Sequence, residues 1–150
     1  MNKKAESKGQ KSKRLKLMSR ARIFKDELIE RNIKFLAICI ETTNACLILL
    51  SEKEDRLGTL VAAIPPGKGL IGPATSSVLL GSKNATLARI LAERMASKTN
   101  KIALVSIYLE TLEESVAGPI LIRLIEKIQS KKAEKEETKT EAEKVKGAEI

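Results

Sequence analysis

A chain of 150 residues with nine net positive charges, two cysteines and no histidine has room for one domain with tails and lacks the commonest general base and metal ligand. Two cysteines without other suitable ligands make no zinc site, and no apolar run approaches the roughly 20 residues that span a bilayer. The charge is localised: residues 1–20 carry eight Lys/Arg against Glu6, and residues 130–150 carry six Lys against six Glu, so the segment between holds only two of the nine net charges.

Residues 1–20 show no apolar period and are expected to form a disordered basic arm, which has two readings: a solubilising tail, or one that holds an acidic partner or nucleic acid through salt-sensitive contacts. No apolar stretch of signal-peptide type follows the basic start, so a cytoplasmic protein is expected. The absence of His and Trp beside abundant Lys, Glu and Ile points to a thermophilic source. Residues 23–31 have two readings. Phe24, Leu28 and Ile29 fit a helical stripe, and the same residues fit an extended lead into the first long strand.

Residues 33–40 and 45–50 are apolar and rich in β-branched side chains, with the turn-like Glu41-Thr42-Thr43-Asn44 between them, so a hairpin is predicted. A four-residue loop pairs Ile40 with Ala45 and Cys39 with Cys46. The cysteines are then cross-strand neighbours, either as two small buried side chains or, in a thermophilic cytosol, as a disulfide. A charged turn at 51–56 leads to a third strand at 59–64.

The loop at 65–73 carries three of the four prolines and three of the eight glycines. Its Gly67-Lys68-Gly69-Leu70-Ile71-Gly72 matches the glycine spacing of dinucleotide-binding turns. That chemistry requires a strand turning directly into a helix whose N-terminus holds the phosphates. Prolines flank the motif and no helical period begins before about Ser82, so the context fails. Two readings remain for Leu70 and Ile71: with Lys68 they form a partner-binding tip, or they fold back onto the sheet edge.

A short strand at 75–80 ends at Gly81. The first helix follows, capped by Ser82 or Asn84, with Leu87, Ile90, Leu91 and Met95 on one face. Asn100 suits the left-handed residue that ends a helix. Residues 102–109 then run apolar without a break, the pattern of a central strand covered on both faces. A second helix starts between Ser115 and Gly118, because proline is comfortable only in the first turn. Ile120, Leu121, Leu124, Ile125 and Ile128 form its stripe. Beyond Ser130 a charged Lys/Glu tail, helical or frayed, has no face to bury. Residues 21–129 therefore read as a single α+β domain, an antiparallel sheet of five or six strands with two packed helices.

No catalytic set emerges. Serines and threonines lack a histidine to activate them, and Glu52, Glu54 and Asp55 read as a solvated charge run. The three aromatics, Phe24, Phe35 and Tyr108, sit in core or strand positions and offer little for base stacking.

The succession of strand, glycine corner, helix, polar stop and strand from Ser76 to Glu110 resembles the proteasome assembly chaperone 4 family. The segments that carry this are Leu79-Leu80-Gly81, the helix end Ser97-Lys98-Thr99-Asn100-Lys101 and the strand Ala103-Leu104-Val105-Ser106-Ile107. The resemblance spans roughly residues 23–129 and favours the extended reading of 23–31. It implies an archaeal-type homologue, similar also to proteasome assembly chaperone 3. Such a protein dimerises with itself or a paralogue, binds a proteasome α-type subunit, and assists α-ring and 20S core assembly without catalysis or cofactor. The basic arm, the Lys/Glu tail, Gly118-Pro119 and the loop at 65–73 depart from the family. The alternative is a small basic nucleic-acid-binding protein that uses its N-terminal arm.

Overall fold

The computed structural model describes residues 20–148, and the expected arm at 1–19 lies outside the described residues. Six strands, β1 (Arg22–Glu30), β2 (Ile33–Glu41), β3 (Ala45–Glu52), β4 (Thr59–Ile64), β5 (Thr75–Leu80) and β6 (Ile102–Tyr108), form one sheet in the order β1-β2-β3-β6-β4-β5. Two helices, α1 (Ala85–Thr99) and α2 (Glu114–Ala148), complete the α+β fold. Residues 23–31 take the extended reading and fall in β1.

The sheet is mixed. All neighbours are antiparallel except β3 and β6. A helix between two strands returns the chain to its starting end. β5 and β6 therefore run the same way with β4 between them, and β6 enters the gap beside β3 in β3's own direction.

The hairpin is tighter than predicted. The Thr42 N–H donates to the Ala45 carbonyl at 2.9 Å, and the Ala45 N–H donates to the Thr42 hydroxyl at 3.1 Å, so Thr43 and Asn44 alone make the turn. Glu41 pairs with Cys46 and Cys39 with Ile48. The cysteines are diagonal rather than opposed, and both thiols are free. The register differs by two residues, which preserves the side of the sheet each chain atom faces, so both cysteines are buried on the core side.

Both helices pack on that one side. α1 lies on β4, β5 and β6, and α2 lies on β1 and β2. From α1 the buried set is Leu87, Leu91 and Met95 with Ala88, Ala92 and Ala96, and the small alanines let the helix sit close to the sheet. Ile90, expected on this stripe, is 53% exposed. From α2 the five expected stripe residues are all buried, joined by Ala117. Each fully buried leucine, such as Leu121 or Leu124, contributes about 1.5–3 kcal/mol.

Acidic side chains tie the helix starts. Asn84 is the N-cap of α1 but has φ 63° and makes no side-chain cap, because capping needs an extended backbone there. The Glu114 carboxylate instead accepts the Leu87 N–H. Asn100, at φ 54°, ends the helix as expected. α2 begins at Glu114, earlier than predicted, with Pro119 one residue beyond its first turn. The buried Glu52 carboxylate accepts the N–H groups of Thr111 at 2.9 Å and Leu112 at 3.1 Å, holding the segment between β6 and α2 to the end of β3. Asp26 anchors α2 over β1 through Lys127 and Lys131, each at 3.2 Å and one helical turn apart.

Candidate functional site

Alternation along a strand sends neighbouring residues to opposite sides of the sheet. Phe35, Ala37 and Cys39 in β2 and Val105 and Ile107 in β6 take the helix side and are at most 1% exposed. The residues between them, Leu36, Ile38 and Ile40, and Leu104, take the other side, where neither helix lies.

That second side is apolar over four adjacent strands. The pairing aligns Ile40, Leu47, Leu104 and Ala62 in one row across β2, β3, β6 and β4. A parallel row holds Ile38, Leu49, Ser106 and Leu60. All these apolar residues are half-buried. Around them Ile23, Ile64, Leu80 and Ile102 are 37–59% exposed. Ile23 extends the first row onto β1, and Ala45, Ile102 and Ile64 stand in a third row beyond it. With strands about 4.8 Å apart and side chains of one face about 6.6 Å apart along each strand, five strands and three rows project at most roughly 24 by 20 Å, or about 500 Å².

The rim carries polar side chains. On β1 the outward residues include Lys25 and Glu27, and Lys34 on β2 pairs with Glu27 at 3.0 Å. On β5 they include Thr75 and Ser77. At one end the turn after β3 folds over the sheet. The Arg56 guanidinium lies 5.3 Å from the centre of the Tyr108 ring and donates to its hydroxyl at 3.2 Å. The Tyr108 hydroxyl donates in turn to Glu110 at 2.6 Å. That hydrogen bond, and after it burial, raises the Tyr108 pKa above the ordinary tyrosine value.

The residues singled out from sequence lie elsewhere. Lys68, Leu70 and Ile71 occupy the loop between β4 and β5. The Leu70 N–H donates to the Gly67 carbonyl at 3.0 Å, closing a turn that projects both apolar side chains into solvent. Leu70 is 70% exposed and Ile71 fully so, and neither folds back onto the sheet edge. The glycine motif leads into β5, not into a helix, so the phosphate-binding context is absent. From sequence, an apolar sheet face that invites dimerisation is expected on so small a domain, and only which face stays open is left undecided. Its signal was present: β2 and β3 are apolar at both parities, which a sheet covered on one side alone does not require.

No protein-family model and no curated protein matches the sequence. Among solved structures, the chain is similar to one from the crystal structure of a novel chaperone complex for yeast 20S proteasome assembly. The two share 16% identity at a TM-score of 0.56, over 73% of this chain and 93% of the other. At that identity the likeness is one of fold.

Proposed function

We propose that this protein is a proteasome assembly chaperone-like binding protein. It works in the cytoplasm as a dimer and engages proteasome α-type subunits during α-ring and 20S core assembly, without chemistry of its own. The observation that carries this reading is the open apolar face, set on a fold similar to that of a chain from a yeast 20S proteasome assembly complex. A face of about 500 Å² in projection, on side chains that stand out from the sheet, approaches the roughly 800 Å² per partner of a stable interface. Its occupant is a second copy of the chain: an apolar patch is complementary to itself, and a two-fold axis lets the same residues serve both sides. The open face being used for pairing, the α-subunit contacts fall outside it, and the exposed Lys68, Leu70 and Ile71 supply an apolar tip with one charge for that purpose.

The test is co-expression with the α-type subunits of the same organism, followed by affinity capture and native mass determination. The expected result is a complex holding two copies of this chain with α-subunits, absent from finished 20S particles. A dimer containing a paralogue in place of the second copy would overturn the self-pairing. Absence of any α-subunit complex at low salt, with RNA or DNA retained through the basic arm, would overturn the chaperone reading.

A further inference from the structure

The turn end of the β2–β3 hairpin holds a second feature, on the helix side and independent of the open face. There the Glu41 carboxylate is 8% exposed and is met by three cations. Arg22 approaches it at 2.8 Å and Lys101 at 3.3 Å, and Lys132 of α2 pairs with its other oxygen. Those cations are themselves half-withdrawn from water, with side chains 30%, 29% and 15% exposed. Arg22 also touches Glu136 at 2.9 Å. Arg20 and Lys139 stand beside them, exposed and without an ion pair among the described residues. Arg20, Arg22, Glu41, Lys101 and Lys139 line an open cavity of about 360 Å³ together with Thr42 and Thr43.

Four cations and one carboxylate leave a surplus of positive charge in a concave site, where Coulomb attraction is stronger than at an open surface. An incoming anion offsets that surplus. We propose that this cavity binds an acidic segment of a protein partner, with its Asp or Glu carboxylates taken up by Arg20, Lys101 and Lys139. The cavity holds about a dozen waters at roughly 30 Å³ each, room for two or three acidic side chains. No aromatic residue lines it to stack a base. The free guanidinium fork of Arg20 matches a carboxylate in two-point geometry. In sequence, Arg20 closes the run of eight Lys/Arg in residues 1–20, so the charge of the cavity continues directly into the arm.

The test uses the full chain and a fluorescein-labelled decaglutamate peptide, read by anisotropy at low salt and by amide shifts in NMR. The double variant Arg20→Glu with Lys139→Glu reverses the two unpaired cations. A charge-matched control, Arg31→Glu with Arg89→Glu, changes exposed positions elsewhere. The expected result is a loss of tenfold or more in peptide affinity for the first variant, a change under threefold for the control, and shifts at Thr42, Thr43 and Lys101. Equal losses in both variants, or shifts confined to residues 1–19, would overturn the proposal. Tighter binding of a ten-nucleotide single strand through the same cations would also overturn it, and assign the site to nucleic acid. None of these outcomes depends on whether α-subunits are bound.

Discussion

Replacing Leu104 by glutamate separates the fold from the assembly. Leu104 sits mid-sheet on the open face, with Leu47 and Ala62 beside it in its row, while its neighbour Val105 points into the core at 0% exposure. In the monomer the new carboxylate faces water, so the fold loses no more than about 1 kcal/mol. In a two-fold dimer the same position lies near the centre of the contact, where losing one well-packed anchor costs about 2 kcal/mol. Symmetry places the change on both copies. The dimer therefore weakens by about 4 kcal/mol, roughly a thousandfold in Kd. Val105→Ala provides the mirror experiment, lowering fold stability by about 2 kcal/mol with little effect on pairing. Sedimentation equilibrium gives the oligomeric state, and thermal melts over a range of protein concentrations give the linkage. The wild-type Tm rises with concentration because dimerisation draws on the folded state; for Leu104→Glu it stays constant. A Leu104→Glu protein that dimerises as tightly as wild type would refute the placement of the interface on this face.

The Glu52 carboxyl is held below its ordinary pKa: burial would raise it, but the N–H groups of Leu112 and Thr111 outweigh that cost. Its stabilisation is thus complete above the unfolded-state value of about 4.3 and fades as pH falls through the lower folded value. Glu52→Gln turns a donor toward those N–H groups and is expected to cost about 2–3 kcal/mol at neutral pH, with a flatter acid limb in urea melts from pH 6 to 3; unchanged curves would remove Glu52 from the fold's acid sensitivity. Burial pushes the Cys39 thiol up to about 11, so neither cysteine should react with a thiol reagent in the native protein at pH 8, while two thiols titrate after denaturation without reductant; fewer than two would reinstate the disulfide. At Gly58 a Cβ would come within 2.0 Å of the Ile107 carbonyl oxygen, a backbone atom with no way to retreat, so Gly58→Ala should destabilise by about 2–4 kcal/mol in thermal melts, and a neutral result would contradict the close approach of the two chains.

The helical stripe of α2, the strand-ending Gly81 at φ 79° and the Asn100 cap were legible because each depends on residues within one turn of one another. What escaped depends on side chains that act across the fold. The hairpin register is set by Thr42, whose N–H and hydroxyl both bond Ala45 and so carry the β2 side of the pairing past Ile40, a shift of two residues. The cap of α1 comes from Glu114, 27 residues away from the N–H it satisfies. Ile90 fits the helical period as well as Leu91 does, yet it lies beyond the reach of the sheet, since period alone fixes direction and not the width of what is covered. For Leu70 and Ile71 the prolines around them mark a loop but do not decide between an exposed tip and a fold back onto the sheet edge, because that depends on contacts beyond the loop.

Which face of the sheet stays open escaped for a different reason, and that reason bears on how the protein works. A strand that is apolar at both parities announces only that both its sides are to be covered. For β6 that pattern predicts cover on both faces without saying what supplies it. Two helices form among the described residues, and both are committed to one side. The pattern then changes across the sheet. Leu36, Ile38, Ile40, Leu47, Leu49 and Leu104 fill the middle strands, whereas the outward positions of β1 combine Ile23 and Ile29 with Lys25 and Glu27, and those of β5 combine Thr75 and Ser77 with Leu80. A continuous apolar centre whose edges mix polar and apolar side chains is the organisation of an interface, and the apolar residues at those edges extend the surface that a partner covers.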